Sequence, residues 1–352
     1  MSTVRMSILT VALAALTLCV FASQSVAQTY TLTDLGTIAG NSVSTGYALN
    51  STGHAAGTSS TPTGAIAVLF SNSKVTDIST LGSNVSVATG INSSGEIVGW
   101  NDFYSNPNFD PQAFLYSNGS MKSIDAPSVF PSGTEASAIN DSGEVVGTGY
   151  FTSGNFHAFL YSGGKMQDLG PPGAYQSSAI AINNSGQIIG GYYVSAANAG
   201  EFVITNGKMT TLPVPSGASG VAGFGINDGG EIAGAIFFSS GAPSHAAKFA
   251  NGVWTDLGAI IGASASRATS VNLSGVVVGT AFFPQTQYHP FKPGKHVPFI
   301  STASGLVNLN TLIPAGTGFV LTDAAAINDL GQILCNATNS GGSKHAVLLR
   351  PK

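Results

Sequence analysis

The amino-acid sequence predicts an all-β protein, a seven-bladed β-propeller of four-stranded antiparallel blades. An Asn is followed three residues later by a Gly seven times, inside nearly the same phrase, and the copies lie 42 to 56 residues apart. That spacing suits a four-stranded sheet with its loops, and helical patterning is absent. A surplus strand at the N-terminus matches one missing at the C-terminus. The repeated Asn residues are Asn50, Asn92, Asn140, Asn183, Asn227, Asn272 and Asn328.

The first two strands of each blade are predicted to form a tight hairpin, as in TGINSSGEIVG and SAINDSGEVVG. The Asn side chain accepts from the backbone two residues on, and the Gly supplies the positive φ that the turn requires. A calcium loop would need later acidic ligands, which are missing. The Asn-x-Ser/Thr pattern of glycosylation acceptors follows from Ser being a good turn residue. A structural turn is therefore the interpretation.

Two further strands complete each blade: a short apolar third strand, such as QAFLY or HAFLY, and a fourth such as KMQDLG or VWTDLG. The strand before each hairpin is built from small residues, which suits the crowded innermost position. This order puts both short turns of a blade on one face of the disc and the long loops on the other. We expect a ligand to bind on the long-loop face.

The chain ends predict how the ring closes. The segment 29–36, TYTLTDLG, reads as a fourth strand but precedes every hairpin phrase, whereas the last blade stops after three strands. We expect the N-terminal strand to pair with the last blade, which removes two exposed sheet edges.

Composition limits the function. The chain is 43% hydrophobic with 45 Gly, but only 8% of its residues are charged and its net charge is −4. Removal of Arg5 with a leader makes the net charge about −5 (11 basic against 16 acidic residues). A basic stripe for nucleic acid is missing, and the local cluster of Lys292, Lys295 and His296 is interpreted as a solvated loop.

The N-terminus predicts export. Arg5 precedes an apolar run from Ile8 to Ala22, and small residues follow up to Ala27. We expect a signal peptide over 1–27, cleaved after Ala27, and a single propeller domain over 28–352 that is secreted or periplasmic. A later membrane span is not expected, and the protein is expected to be a monomer. A lipoprotein is a minor alternative, because Thr17 and Leu18 before Cys19 make a poor lipid-attachment signal.

Two stretches, HAFLYSGGKMQDLG (157–170) and LVNLNTLIPAGTGFVLTDAAAINDLGQIL (306–334), resemble the bacterial extracellular repeat family named for its His-Ala-Phe tripeptide, the HAF repeat. The likeness spans essentially the whole mature chain. The tripeptide itself occurs once, at His157-Ala158-Phe159, and is loosened at Gln112, His245 and His345. The resemblance implies an exported repeat protein of unestablished function.

Catalytic and metal-binding patterns are not found, and no cofactor is expected. His157, His245 and His345 start equivalent third strands, so their blades hold them too far apart to share one zinc ion. Cys335, where six blades carry Gly, is interpreted as a small buried residue. Carboxylates for glycoside cleavage are scattered over different blades. They are Asp102, Asp110, Glu135, Glu201 and Asp323.

Aromatic residues follow the second strand in five blades, for example Tyr150-Phe151 and Phe282-Phe283. They either pack into the seams between blades or form a platform for sugar rings. The predicted ligand-binding residues are Trp100, Asn101, Asp102, Tyr104, Asn106, Phe109 and Tyr288. The sequence thus favours a noncatalytic exported module that binds a glycan or a cell-envelope protein. An exported polysaccharide hydrolase or lyase, and a structural role in an extracellular matrix, are the alternatives.

Overall fold

The computed structural model describes residues 28–39, 41–62, 64–72, 74–83, 85–102, 111–195, 198–239, 242–284 and 294–352. The predicted signal peptide lies outside these ranges. Within them the chain forms 28 β-strands and a short 3-10 helix, Leu309–Thr311, so the all-β prediction is confirmed. Across these same ranges, no helix has the length and apolar character needed to cross a bilayer.

The strands follow one another in units, numbered here along the chain. Unit 1 comprises β2 (Ser44–Leu49), β3 (Ala55–Thr61), β4 (Gly64–Ser71) and β5 (Lys74–Asp77). Unit 2 comprises β6 (Val85–Ile91), β7 (Ile97–Asp102), β8 (Gln112–Ser117) and β9 (Ser120–Ser123). Unit 3 comprises β10 (Thr134–Ile139), β11 (Val145–Tyr150), β12 (Phe156–Ser162) and β13 (Lys165–Asp168). Unit 4 comprises β14 (Gln176–Ile182), β15 (Ile188–Ser195), β16 (Asn198–Thr205) and β17 (Lys208–Thr211).

The later units repeat this pattern. Unit 5 comprises β18 (Ala218–Ile226), β19 (Ile232–Phe238), β20 (His245–Ala250) and β21 (Val253–Gly258). Unit 6 comprises β22 (Ala265–Val271), β23 (Val277–Phe283), β24 (Lys295–Thr302) and β25 (Gly305–Asn308). Unit 7 comprises β26 (Phe319–Ile327), β27 (Ile333–Asn339), β28 (Lys344–Pro351) and the N-terminal β1 (Tyr30–Asp34).

The described strands form five four-stranded sheets and one eight-stranded sheet. The larger sheet contains units 3 and 4, which are joined by a single parallel pair, Phe156 with Gln176. Inside every unit the neighbouring strands are antiparallel. The turns between first and second strands therefore lie on one face, the hairpin face, and the connections between second and third strands lie on the opposite, long-loop face, as predicted.

The N-terminal strand is paired with the C-terminal one. β1 runs antiparallel to β28, from Tyr30 opposite Pro351 to Asp34 opposite Val347, in the sheet order β1-β28-β27-β26. β1 therefore occupies the fourth-strand position of unit 7, which the sequence predicted for it.

The hairpin prediction is confirmed in detail. In all seven turns the Gly has a φ between 70° and 86°, and its N–H donates to the carbonyl of the repeated Asn. In the turn at Asn140, the Oδ1 atom accepts from the N–H groups of Ser142 and Glu144. The Asn side chain thus caps its own turn, as an Asx turn does.

The repeated Asn residues also link consecutive units, which the sequence analysis did not predict. Each Nδ2 donates to the backbone carbonyl of the Asn in the next unit, at 2.9 to 3.3 Å, and Asn328 donates back to Asn50. All seven are buried, with 3% to 7% of their surface exposed. The side chains therefore complete a cycle of seven hydrogen bonds through the inner strands.

A second set of polar contacts joins the units at their third strands. The N–H of Ala158 donates to the Oγ of Ser177, the buried residue six positions before Asn183 in the next unit. The same contact recurs in four other seams. The further pairs are Ala67 with Ser86, Ala113 with Thr134, Ala246 with Ser266, and Ala346 with Ser44.

The apolar core lies in the seams between units. One cluster, for example, combines Val146 and Ala158 of unit 3 with Ala179 and Ile182 of unit 4. Among the described residues, the third strands supply five of the six fully buried Phe side chains. Four fully buried Phe residues occupy equivalent third-strand positions: Phe114, Phe159, Phe202 and Phe299.

The second strands pass very close to the inner strands. A Cβ on Gly147 would lie 2.0 Å from the carbonyl oxygen of Glu135, so a side chain cannot fit there. Unit 7 carries Cys335 instead, where an additional register shift between Leu321 and Asp323 changes the local pairing. Cys335 is fully buried, as predicted, and burial raises the pKa of its thiol.

Candidate functional site

Three of the predicted ligand-binding residues end β7, on the long-loop face. Asn101 is fully buried: its Oδ1 accepts from Ser83 Oγ at 3.2 Å, and its Nδ2 lies 3.7 Å from Met121 Sδ. Trp100 and Asp102, whose side chains point to the opposite side of the strand, are half-buried. Trp100 and Asp102 are therefore the members of this group that keep solvent-accessible surface. The predicted residues Tyr104, Asn106, Phe109 and Tyr288 lie outside the described residues.

The three strand-starting histidines each contact an Asp of the neighbouring fourth strand. His157 Nδ1 lies 2.9 Å from Asp168, and Asp168 also accepts from the N–H of Gly170. His245 with Asp256 and His345 with Asp34 repeat the distance of 2.9 Å. These histidines therefore hold the outer strand of their unit, and in unit 7 that outer strand is β1. Over the described ranges, no three His, Cys, Asp or Glu side chains gather closely enough to hold a metal ion.

The aromatic residues at the ends of the second strands divide into two groups. Phe151, Phe238 and Phe282 pack edge-on against the histidine near the start of the third strand, with ring centroids 4.9 to 5.1 Å apart. Tyr193 and Phe237 instead expose 43% and 40% of their surface. The first group therefore packs within its own unit, against the third strand, and the second presents aromatic surface on the long-loop face.

Arg267 contacts two aromatic rings, Phe282 at the long-loop end of unit 6 and Phe224 near the hairpin end of β18 in unit 5. It is the third residue of β22, and its Cζ lies 5.4 Å from the ring centroid of Phe282 and 5.8 Å from that of Phe224 in unit 5. The residue is exposed and makes no hydrogen bond or ion pair with the residues that the structure describes. Two cation–π contacts therefore position a guanidinium whose N–H donors face solvent.

The contacts continue from Phe282 into unit 7. The Phe282 ring packs against His296, and His296 Nδ1 lies 3.5 Å from Asp323 Oδ1. The His296 side chain is 50% exposed and that of Asp323 is 34% exposed. We refer to Phe224, Arg267, Phe282, His296 and Asp323 as the Arg267 cluster. The cluster combines the guanidinium of Arg267, the rings of Phe224 and Phe282, and the His296–Asp323 pair. Its residues come from three consecutive units.

An open cleft of about 550 Å³ lies at the long-loop ends of units 6 and 7 and includes Lys295, the residue before His296 in β24. Its walls include Phe319 and Val320 from unit 7, and Val320 is 56% exposed. Lys295 adds a second positive charge near His296. The lining of this cleft thus combines a cation with apolar side chains.

The remaining candidate carboxylates are bound to different partners. Glu135 accepts from the hydroxyl of Tyr150 at 2.7 Å, and burial raises the pKa of this carboxyl. Glu201 lies in the seam between units 4 and 5, where it accepts from the N–H of Gly223 at 3.4 Å. Burial raises the pKa of Glu201 to about 7. These contacts do not pair two carboxylates as a glycosidase requires, and Asp110 lies outside the described residues.

Comparison with known proteins identifies the fold of this chain but no relative by sequence. Neither a family model nor a curated protein matches the sequence. The β-propeller domain of the Trilobed protease from Pyrococcus furiosus is similar in structure, with a TM-score of 0.57 and 9% identity, over 90% of this chain and 96% of that one. Acylaminoacyl peptidase from Pyrococcus horikoshii gives 0.55 and 10% identity, over 90% of this chain and 53% of that one. This chain is a β-propeller. The likeness at such low identity extends to the fold alone, and the chain spans about half the length of that peptidase.

Sequence reasoning missed the Arg267 cluster. It considered Asp323 and His296 separately, as a scattered acid and a solvated loop residue, and did not single out Arg267 or Phe224. One signal was present: apart from Arg5, the chain has only two arginines, Arg267 and Arg350. An Arg on an inner strand made otherwise of small residues marks an unusual position.

Proposed function

We propose that this propeller is an exported, noncatalytic binding module that holds a glycan or a cell-envelope protein at its long-loop face. The observation that carries the proposal is the Arg267 cluster, because it places an exposed cation against two aromatic rings, one of which, Phe282, lies at the long-loop end of β23. The exposed rings of Tyr193 and Phe237 support it, since aromatic side chains are common anchors in binding surfaces.

We also propose that the seven units are seven blades of one ring, closed by β1. Three observations support this: the seven-fold sequence repeat, the antiparallel pairing of β1 with β28, and the contact of His345 with Asp34. The single parallel pair between units 3 and 4 is a local bridge between two blades in this interpretation.

Export and membership of the HAF-repeat family belong to the same proposal. The leader-like segment 1–27 supports export. The resemblance rests on the two phrases quoted above, and within this chain the His of the tripeptide contacts the Asp of the Asp-Leu-Gly phrase, as His157 contacts Asp168. The His-Ala-Phe tripeptide and the Asp-Leu-Gly phrase then supply the two partners of one contact between the third and fourth strands.

The test compares the two faces of the mature protein, residues 28–352. We expect the Tyr193→Ser/Phe237→Ser variant to lose binding at least tenfold on a glycan array and in pull-downs from the native envelope. The matched control is Leu273→Ser/Leu330→Ser, which removes two exposed apolar side chains, 54% and 63% exposed, from the hairpin turns. Equal loss in both variants, or an absence of any bound glycan or protein in the wild type, would overturn the proposal.

A further inference from the structure

Building on the proposed function, we propose that the long-loop face recognises carboxylate-bearing sugars, the hexuronic acid residues of an acidic polysaccharide. In this proposal Arg267 pairs with the sugar carboxylate, and the Phe282 ring lies against the apolar face of the pyranose.

Arg267 is arranged as an anion receptor. A guanidinium offers five N–H donors in a planar fork that matches the two oxygens of a carboxylate. The contacts with Phe224 and Phe282 orient this plane without using its N–H donors. The Arg267 side chain is therefore already partly ordered, so it loses less conformational entropy when a ligand binds.

The surrounding charge favours an isolated carboxylate over a polyanion. Nucleic acids and heavily sulfated polymers are held by many cations at once. Here the chain is acidic, with 16 Asp and Glu against 12 Lys and Arg, and Lys295 is the cation next to His296 in β24. A ligand with one carboxylate per sugar ring suits this sparse arrangement.

The other members of the Arg267 cluster suit a sugar better than an acidic peptide. In a hexuronic acid the carboxylate is attached directly to the pyranose ring, so a guanidinium and an adjacent aromatic ring can contact both groups together. The partly exposed His296 and Asp323 supply a donor and acceptor pair for ring hydroxyls. An acidic peptide side chain carries its carboxylate on a flexible stem and has no hydroxyls for that pair.

In this proposal the polysaccharide continues from His296 into the cleft that includes Lys295. The cleft also includes Phe319 and Val320, so a second and third sugar would meet another cation and further apolar surface. We therefore expect affinity to rise with chain length from a single uronic acid to a trimer.

The test measures binding of oligogalacturonates by calorimetry, with galacto-oligosaccharides of equal length as neutral controls. We expect the acidic oligomers to bind at least tenfold more tightly than the neutral ones, and Arg267→Gln to remove at least tenfold of that affinity. Arg267→Lys should restore part of it, because the charge returns without the bidentate fork. The matched control is Arg350→Gln, which removes the other arginine; Arg350 is on β28 and donates to Thr33.

The outcomes separate this inference from the proposed function. Equal binding of acidic and neutral sugars, an unchanged affinity in Arg267→Gln, or an equal loss in Arg350→Gln overturns the inference and leaves a binding module. Binding of acidic peptides in preference to uronates does the same. If neither glycans nor envelope proteins bind, the proposed function fails as well.

Discussion

Asn328 Nδ2 donates to the backbone carbonyl of Asn50 at 3.0 Å, although 278 residues separate the two. The other six repeated Asn residues make this contact with the next unit along the chain. Each amide performs two tasks: its oxygen caps a turn and its nitrogen joins two units. An Asp could perform the first task but not the second, which explains why an amide stands at all seven positions.

The amide nitrogen is predicted to be essential at Asn140. Its Nδ2 donates to Glu144 Oε2 at 2.8 Å and to the Asn183 carbonyl at 3.2 Å. Asn140→Asp would place a buried carboxylate against both acceptors, so we expect a loss of roughly 2–4 kcal/mol in unfolding free energy at pH 7. Urea denaturation of the wild type and the variant measures this difference in unfolding free energy.

Two comparisons sharpen this prediction. Asn328→Asp should cost less, about 1–2 kcal/mol, because the Gln332 amide that now accepts from Asn328 can rotate and donate instead. The matched control is Asp141→Asn, which replaces a carboxylate with an amide at the next residue. The amide oxygen can still accept from the Ser93 N–H. A similar loss in Asp141→Asn and Asn140→Asp would show that the donor is unimportant.

The contact of Asp34 with His345 is predicted to hold the N-terminal strand in place. Asp34→Ala removes the acceptor for His345 Nδ1 and for the Gly36 N–H, so the amides of β1 should exchange with deuterium several-fold faster. Asp168→Ala removes the same contacts inside unit 3 and should speed exchange in β13 alone. Unchanged exchange in β1 after Asp34→Ala would mean that the strand pairing suffices without this contact.

The seam carboxyl of Glu201 is predicted to make stability fall as the pH rises. Its pKa in the folded protein is about 7, above the ordinary value of 4.5, so the folded state holds the proton more tightly. The stabilisation is complete below about pH 4.5 and is lost as the pH rises through 7, by up to about 3 kcal/mol. Glu201→Gln should therefore raise the Tm at pH 8 and change it little at pH 5.

Glu201→Ala provides the second measurement, since Ala occupies this position in five other units. It should flatten the pH dependence in the same way. If both variants keep the wild-type difference in Tm between pH 5 and pH 8, another group causes it.

The hydroxyl of Ser177 is predicted to stabilise the seam between units 3 and 4. Ser177→Ala leaves the buried N–H of Ala158 without an acceptor, which should cost about 1–3 kcal/mol in unfolding free energy. Ser178→Ala is the control, because that side chain lies on the opposite side of the strand. Equal effects of the two substitutions on urea denaturation would argue against this role.

Two exceptions to the seam contact agree with its chemistry. Thr322 occupies the hydroxyl position in unit 7, but the third-strand residue that would face it is Pro298, which has no N–H to donate. Thr322 donates instead to the Asn336 carbonyl. In the other seam, Val221 and Glu201 replace the hydroxyl and the Ala, and the Glu201 carboxylate accepts from Gly223.

The sequence by itself determined the local structure and the strand order. Turn geometry depends on a few neighbouring residues, so Asn140 and Gly143 predict their hairpin without knowledge of the rest of the chain. The period predicts the units, and the Asp-Leu-Gly phrase at Asp34 predicts the placement of β1, because a repeated phrase implies a repeated position.

The tertiary structure alone decided which of the residues that do not recur from unit to unit lie in contact. Phe224, Arg267 and Asp323 stand on three different units, at positions where the other units carry unrelated side chains. The period therefore does not predict that Arg267 contacts Phe224 or that Asp323 contacts His296. These contacts depend on the angle between neighbouring units and on side-chain length. The inter-unit role of the Asn amide was likewise hidden, since the turn already accounted for that residue.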